Sequence, residues 1–316
     1  MKILAAIVGM LAVLGQTPSG TLQKLIVNVN DAQGRFVQGM GKDDFTIEED
    51  GVEQKIASFA NGSDTPVTIG ILVDKSNSMR LPLNVEGQKP VPAALLIASG
   101  VGRVFVHLMK EQDEFMLMTF DEGVKVKVNF TQDRTKVEDQ LKKLNEVGGS
   151  THLYESVLDA LDNMKKAKYR KRALIVITDA YDTSGKEIDE LKKRLAESET
   201  PVYTFGLRAV WEGRSDQNLS TPLFQMVLDT LGRNSGGISM VVNIPEYNSD
   251  QTIQALAVFA QIVTMDLRGQ YTLSYYTSKP NPTQASVLRV KTKAPNLRVR
   301  IRRDALDPLA PTPQKK

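Results

Sequence analysis

Between Val67 and Val73 the chain reads VTIGILV, an apolar run too short for a typical helix and closed by Asp74. A run of that length marks a strand buried on both faces of a parallel sheet. Parallel neighbours need long crossovers, so such a strand commits the chain after it to alternate strands with helices. That alternation is present. Strand patterns recur at Glu114 to Phe120, Lys125 to Phe130, Ala173 to Thr178, Val202 to Leu207 and Ile238 to Val242. Helical periodicities fall at Ala93 to Lys110, Arg134 to Leu144, Leu153 to Lys166, Lys186 to Glu197, Pro222 to Gly232 and Asp250 to Leu267. The order predicts an α/β fold with a doubly wound, mostly parallel sheet. A hairpin from Phe115 to Phe130, turned at Asp121, Glu122 and Gly123, adds one antiparallel edge strand.

The flanks read differently. Leu22 to Asn30 alternates around Leu25, Val27 and Val29, and strands at Phe45 to Glu49 and Val52 to Phe59 are joined by Asp50-Gly51, a strong hairpin signal. After Gln270 the chain is β again, at Tyr271 to Thr277, Ser286 to Thr292 and Leu297 to Arg303. Isolated small sheets are marginal in water, so the economical arrangement is one β-sandwich built from both ends with the α/β unit inserted. The expected divisions are 21–64 and 269–304 for the sandwich, 65–268 for the α/β unit and 305–316 for a Pro- and Lys-rich tail. Residues 1–20 have the layout of a signal peptide: Lys2, the apolar run Ile3 to Leu14, then small and polar residues. No clean small-x-small pair marks a cleavage point, so a retained anchor stays as the alternative. This leader implies a secreted, periplasmic or envelope protein, and no later segment is apolar enough to span a membrane.

Composition narrows the functional classes. With 316 residues, 41% hydrophobic and 24% charged, the chain is ordinary globular material, and a net charge of +3 gives no reason to expect nucleic acid. The absence of cysteine excludes disulfides, thiolate metal sites and a cysteine nucleophile.

Ligands of open parallel sheets bind beyond the carboxyl ends of the strands. Three segments at that edge carry oxygen: Asp74-Lys75-Ser76-Asn77-Ser78 after the first buried strand, Gly148-Gly149-Ser150-Thr151 before a helix, and Thr178-Asp179-Ala180-Tyr181-Asp182 after another buried strand. If the first segment stays extended, alternation points Asp74, Ser76 and Ser78 the same way. Two carboxylates and three hydroxyls suit a hard cation such as Mg²⁺, and so few anionic ligands leave the ion net positive, open to an incoming carboxylate.

Asp-x-Ser-x-Ser, Gly-Gly-x-Thr and Thr-Asp, in that order and at those element positions, resemble the metal-ion-dependent adhesion site of von Willebrand factor type A domains. The resemblance spans about Thr65 to Leu267 and implies a Rossmann-like fold and a metal site of Asp74, Ser76, Ser78, Thr151 and Asp179. It implies that Ser76 and Ser78 ligate directly, Thr151 directly or through water, and Asp74 and Asp179 largely through water. The ion would be Mg²⁺, Mn²⁺ or Ca²⁺, and the partner a protein presenting a Glu or Asp carboxylate. The flanks, Gly34-Arg35-Phe36-Val37, Lys42-Asp43-Asp44-Phe45, Glu49 to Gln54 and Arg268 to Tyr276, are similar to the secreted bacterial VWFA-related (acidobacterial) domain family. Two departures stand out. Lys75 puts a cation inside the motif, and Ala180 replaces a customary Gly, which is costly if that backbone needs a positive φ.

Each residue also has a plainer account. Asp74, Ser76 and Ser78 could cap the next helix, and Thr151 could be the N-cap of the helix after it. Asp182 reads as a turn residue, His152 as a rim or packing residue, and Tyr271, Tyr275, Tyr276, Phe45 and Phe59 as sandwich core and edge. Met79 to Pro92 reads as a rim loop or an indifferent insertion. Besides a binding module, the sequence allows a structural scaffold with a degenerate site and a Mg²⁺-dependent hydrolase; Ser76 in place of a second aspartate, and histidines not set as a pair, weigh against the enzyme.

Overall fold

The computed structural model describes residues 20–32, 36–62, 65–80, 82–83, 91–209, 221–244, 249–277, 279 and 287–304. Residues 1–19 of the leader, the tail 305–316, Gly34, Arg35 and most of the Met79–Pro92 segment lie outside them. In chain order the strands are β1 (Thr21–Asn30), β2 (Phe45–Glu49), β3 (Val52–Gln54), β4 (Ile56–Asn61), β5 (Thr68–Asp74), β6 (Pro82–Leu83), β7 (Val91–Pro92), β8 (Glu114–Phe120), β9 (Val124–Thr131), β10 (Arg172–Thr178), β11 (Val202–Ala209), β12 (Ser239–Ile244), β13 (Tyr271–Thr277), β14 (Leu288–Thr292) and β15 (Arg298–Asp304). The helices are α1 (Ala93–Leu108), α2 (Arg134–Lys142), α3 (Leu153–Met164), α4 (Ile188–Glu197), α5 (Thr221–Ser235) and α6 (Ser249–Arg268).

Six strands form one sheet in the order β12-β11-β10-β5-β8-β9, parallel except for the edge strand β9. The apolar runs keep a period of two inside it. Ile69, Ile71 and Val73 of β5, with Phe115, Leu117, Ile175 and Ile177, face a layer made by α1, α2 and α6. Leu72, Met116, Met118, Leu174 and Val176 face α3, α4 and α5. Burial on both faces is why these strands show no polar alternation.

The chain ends do share a sheet. β15-β1-β13-β4 is antiparallel, and β14-β2-β3 packs against it through Leu25, Val27, Val29, Phe45, Ile47, Ile56, Tyr271, Leu273, Tyr275 and Val290. Phe45, Phe59 and Phe36 surround Tyr271 with ring centroids 5.2 to 6.0 Å away, so these aromatics are core. Buried Glu49 accepts hydrogen bonds from Tyr275 Oη (2.9 Å) and Thr277 Oγ1 (2.7 Å), which ties the two sheets together. Asp50 and Gly51 turn the β2–β3 hairpin with φ of 52° and 83°, the paired positive values a tight two-residue turn requires.

One expected strand is two. The run Val52 to Phe59 breaks at Lys55, where the chain leaves the three-stranded sheet and enters the four-stranded one as β4. Both halves carry strand-forming residues, so the pattern gave no sign of the crossing.

The two parts meet through buried polar groups. Asp266 of α6 accepts from Asn28 Nδ2 (2.8 Å) and Tyr203 Oη (2.6 Å) and is paired with Arg300, joining β1, β11 and β15 at one carboxylate. Beside it, Arg268 pairs with Asp113 and donates to Thr65 O (3.0 Å), and Lys171 Nζ donates to Gly62 O (2.8 Å). Removing one member of a buried pair strands the other, at a cost of about 3 to 5 kcal/mol. Arg300 is 38% exposed and water recovers part of that loss. Asp266→Ala is therefore expected to cost about 2 kcal/mol in denaturant unfolding, with Asp266→Asn losing less because it keeps an acceptor for Asn28 and Tyr203.

Candidate metal centre

The chain steps from β5 to β8 on one side of the sheet and later to β10 on the other, so the topological switch point lies between β5 and β10. Helix starts and loops converge outside the carboxyl ends of those two strands. Asp74 ends β5 and Thr178 ends β10, with Val73 and Ile177 paired one residue earlier. Strand register alone thus sets the first and third oxygen-bearing segments side by side.

The first segment converges by turning, not by staying extended. Asp74 Oδ1 accepts the Ser76 N–H (2.9 Å) and the Ser76 hydroxyl (2.6 Å), and the chain then curls into a 3-10 turn at Asn77–Arg80. Strand alternation is therefore not what brings the serines together. They still meet: Ser76 Oγ lies 2.8 Å from Ser78 Oγ, and Ser78 Oγ lies 3.4 Å from Thr151 Oγ1.

The second segment is laced to the first by Asn77 N–H to Gly149 O (3.2 Å) and Gly148 N–H to Lys75 O (3.0 Å). Gly149 has a φ of 78°, and a Cβ there would lie 3.1 Å from Asp121 Cβ, so both conformation and space call for glycine. Thr151 is not the N-cap of α3. His152 holds that position without a side-chain cap bond, and the carboxylate of Asp182 takes the Tyr154 N–H at 2.9 Å from across the loop. The Thr151 backbone pairs with Thr183 instead, through Thr183 N–H to Thr151 O (2.7 Å) and Thr151 N–H to Thr183 Oγ1 (3.1 Å). The Thr151 hydroxyl is thereby kept out of capping.

In the third segment Thr178 Oγ1 donates to Asp74 Oδ2 (2.7 Å) and accepts the Ala180 N–H (3.0 Å). Asp179 contacts Ser78 and the Tyr181 N–H. All five expected residues therefore line one rim. Sequence reasoning names three supporting residues without their roles: Thr178, read only as part of the Thr-Asp motif, locks Asp74; Asp182, read as a turn residue, caps α3; and Asp121 is read only as part of the β8–β9 turn. The last takes the His152 N–H on its carbonyl (2.9 Å) and Lys75 Nζ on Oδ2 (3.0 Å). Asp182 and Asp121 act across loops, and no local pattern announces that. His152 lies 3.8 Å from Glu155, and His107 pairs with Glu138 on the other face of the sheet.

The electrostatics are unbalanced. Asp74 is fully buried and Asp179 nearly so. Burial pushes the Asp74 carboxyl above the usual carboxylate range against the hydrogen bonds of Ser76 and Thr178. Burial, and then the Asp74 charge, pushes Asp179 up. Lys75 offers no relief, because its ammonium is turned to Asp121; against the pull of burial, Lys75 and Lys125 hold that carboxyl below its ordinary value. Among the described residues no three His, Cys, Asp or Glu side chains form a metal cluster, so hydroxyls must complete any shell here. An all-oxygen set of two carboxylates and three hydroxyls fits a hard divalent cation, and the uncompensated negative charge calls for one.

Ala180 has a φ of 62° and is completely buried. The left-handed conformation costs an L-residue about 1 to 2 kcal/mol, which offsets glycine's loss of chain freedom on folding. Ala180→Gly is expected to change unfolding free energy by less than about 0.5 kcal/mol, whereas Ala160→Gly inside α3 should cost about 1 kcal/mol. Paired denaturant titrations check this; equal losses would show that Ala180 carries no strain.

Residues 69–182 match the family model described as the von Willebrand factor type A domain, a stretch that holds all five rim residues. No curated protein matches the chain. Solved structures similar to it include the conserved hypothetical protein BatB from Bacteroides thetaiotaomicron, at 19% identity over 63% of this chain and 97% of that one, with a TM-score of 0.46. A von Willebrand factor type A protein from Catenulispora acidiphila is 11% identical over 91% of this chain and 74% of that one, with a TM-score of 0.48. The vWF domain of the type V pili tip protein Mfa5 from Porphyromonas gingivalis is 12% identical over 64% of this chain and 95% of that one, with a TM-score of 0.45. The similarity to the von Willebrand factor type A domain thus lies over residues 69–182, the stretch that holds the three loops at the switch point of the sheet.

Proposed function

We propose that the protein is a metal-ion-dependent binding module. One divalent cation, Mg²⁺, Mn²⁺ or Ca²⁺, is held by Ser76, Ser78 and Thr151 with Asp74 and Asp179 behind them, and a Glu or Asp carboxylate of a partner protein completes its shell. The observation that carries this reading is the meeting of three hydroxyls beside two buried carboxylates that no neighbouring cation neutralises. The hydrogen bonds support the division of labour. Both oxygens of Asp74 already accept hydrogen bonds, and the Ser76 hydroxyl donates to Asp74, so Ser76 is the acceptor in its 2.8 Å contact with Ser78 and keeps one lone pair for an ion. When bound, the ion supplies a Lewis-acidic position for the incoming carboxylate.

A hydrolase is disfavoured because Ser76 stands where a second aspartate would, and His107 in α1 and His152 at the N-cap of α3 lie on opposite faces of the sheet and form no pair. The signal-peptide-like layout of residues 1–20 supports a position outside the cytoplasm; among the described residues no helix is long and apolar enough to cross a membrane.

Calorimetry on the full chain is expected to show one site for Mn²⁺ or Mg²⁺ that Ser76→Ala and Asp74→Ala abolish. Capture of proteins from the organism's envelope fraction should disappear with chelator and in Ser76→Ala. An ion that raises Tm without changing capture would reduce the site to a structural one, and no heat with Mg²⁺, Mn²⁺ or Ca²⁺ would remove the metal altogether.

Stability should also report the site. A carboxyl whose folded pKa is raised contributes stability that is complete below its unfolded pKa and lost as pH rises through the folded value. In chelator, Tm is therefore expected to fall from mildly acid to mildly alkaline pH. Saturating divalent ion should flatten that slope, and Asp179→Asn should flatten it without metal. A Tm in chelator that falls equally in the wild type and Asp179→Asn would contradict the charge imbalance.

A further inference from the structure

Lys75 interrupts the first metal segment with a positive charge, and the fold gives that charge a definite place. Its ammonium lies 3.0 Å from Oδ2 of Asp121, in the turn between β8 and β9. Lys125, at the start of β9, brings a second ammonium to the same oxygen at 3.3 Å. Asp121 is almost wholly buried, Lys75 is 20% exposed and Lys125 is 59% exposed. Two cations therefore share one carboxylate that solvent barely reaches, and one positive charge is left over. The neighbouring acid, Glu122, is engaged elsewhere, its carboxylate accepting from Ser150 Oγ (3.3 Å) and Ser150 N–H (3.4 Å).

The turn that gathers this charge is bonded to the rim segments. The Lys75 N–H donates to Phe120 O (2.9 Å), the His152 N–H to Asp121 O (2.9 Å), and Gly149 packs against the Asp121 side chain. The Asp121 turn is thus bonded directly to the segments that hold Ser76 and Thr151. Through these bonds the Lys75–Asp121–Lys125 group is fastened to the segments that carry the rim hydroxyls.

We propose that Lys75 and Lys125, gathered on Asp121, form an anion subsite beside the metal position, so that the partner is an acidic protein segment that engages with two carboxylates. One completes the ion's shell and the other sits on the lysine pair. The inference rests on the metal reading of Asp74, Ser76, Ser78, Thr151 and Asp179, and it makes Lys125, the more accessible cation, a determinant of which acidic segment is accepted. A lone carboxylate gains from the ion only.

The test uses the full chain at saturating Mn²⁺ and two probes, a polyaspartate decapeptide and a Gly/Ser decapeptide with a single central aspartate. Polyaspartate is expected to bind about tenfold more tightly, with the advantage shrinking at high salt. Lys125→Gln should weaken polyaspartate about fivefold and leave the single-aspartate peptide within about twofold, and Lys125→Glu should remove the preference. Lys125 is exposed, so an unchanged Tm for both variants verifies folding. Equal binding of the two probes, or equal loss for both in Lys125→Gln, overturns the subsite while the metal reading stands. Absence of any heat on adding Mn²⁺ alone overturns the metal reading and the subsite with it.

Discussion

Two carboxyl groups at the carboxyl edge of the central sheet are removed from water and have no cation between them. Asp74 and Asp179 are there because β5 and β10 are neighbours in register at the switch point, so each strand delivers an acid to the same crevice. The fold does not relieve this arrangement. Asp74 receives three donated hydrogen bonds, yet its carboxyl still stands above the ordinary range, and its charge raises that of Asp179. Around this the loops are over-determined: segments one and two are laced by backbone bonds, segments two and three by the Thr151–Thr183 pair, and segment two to the β8–β9 turn through Asp121. A site held this tightly before any ligand arrives loses little freedom on binding.

Much of the fold was legible because buried parallel strands and amphipathic helices write strong, different periods. VTIGILV, the Asp50-Gly51 turn and the helical repeats led to elements whose ends fall within a few residues of the pattern, and strands from both chain ends do combine in one sandwich, divided between two sheets. What failed was whatever depended on a partner distant in sequence. The crossing at Lys55 leaves no mark, since Val52 and Ile56 are both strand formers although they serve different sheets. At the rim, residue types gave the oxygen donors but not their local conformation. Asp74 bends the serine segment by its own hydrogen bonds, and Asp182, 28 positions from Tyr154, does the capping expected of Thr151. The positive φ of Ala180 was visible only as a condition, because alanine itself does not announce it.

The sandwich contributes more than a pedestal. Strands from both chain ends close on the last helix of the α/β unit through Asp266, and the same carboxylate takes the hydroxyl of Tyr203 from the parallel sheet. Only Gly269 and Gln270 separate α6 from β13. The flanking residues that resemble the VWFA-related family have physical work at this joint. Phe36 fills the space that a Cβ on Gly269 would need and stacks on Tyr271, and Arg268 reaches Asp113 and Thr65. Those residues define how the two parts are fastened, while the proposed binding site lies apart from them at the rim.

The choice of hydroxyls at positions 76, 78 and 151 follows from the same charge count. Carboxylates there would bind an ion more strongly by themselves, but with Asp74 and Asp179 already buried they would add repulsion whenever the ion was absent, and with the ion present they would exhaust its charge. Serine and threonine avoid both. Their lone pairs can complete a coordination shell without adding a negative charge, and their O–H groups can donate hydrogen bonds to carboxylates behind them, as Ser76 does to Asp74. An ion balanced by only two acids set behind the hydroxyls keeps its attraction for a further anion. Under the proposed reading, the oxygen set that leaves the two rim carboxyls without compensation would also leave a bound ion open to an acidic ligand.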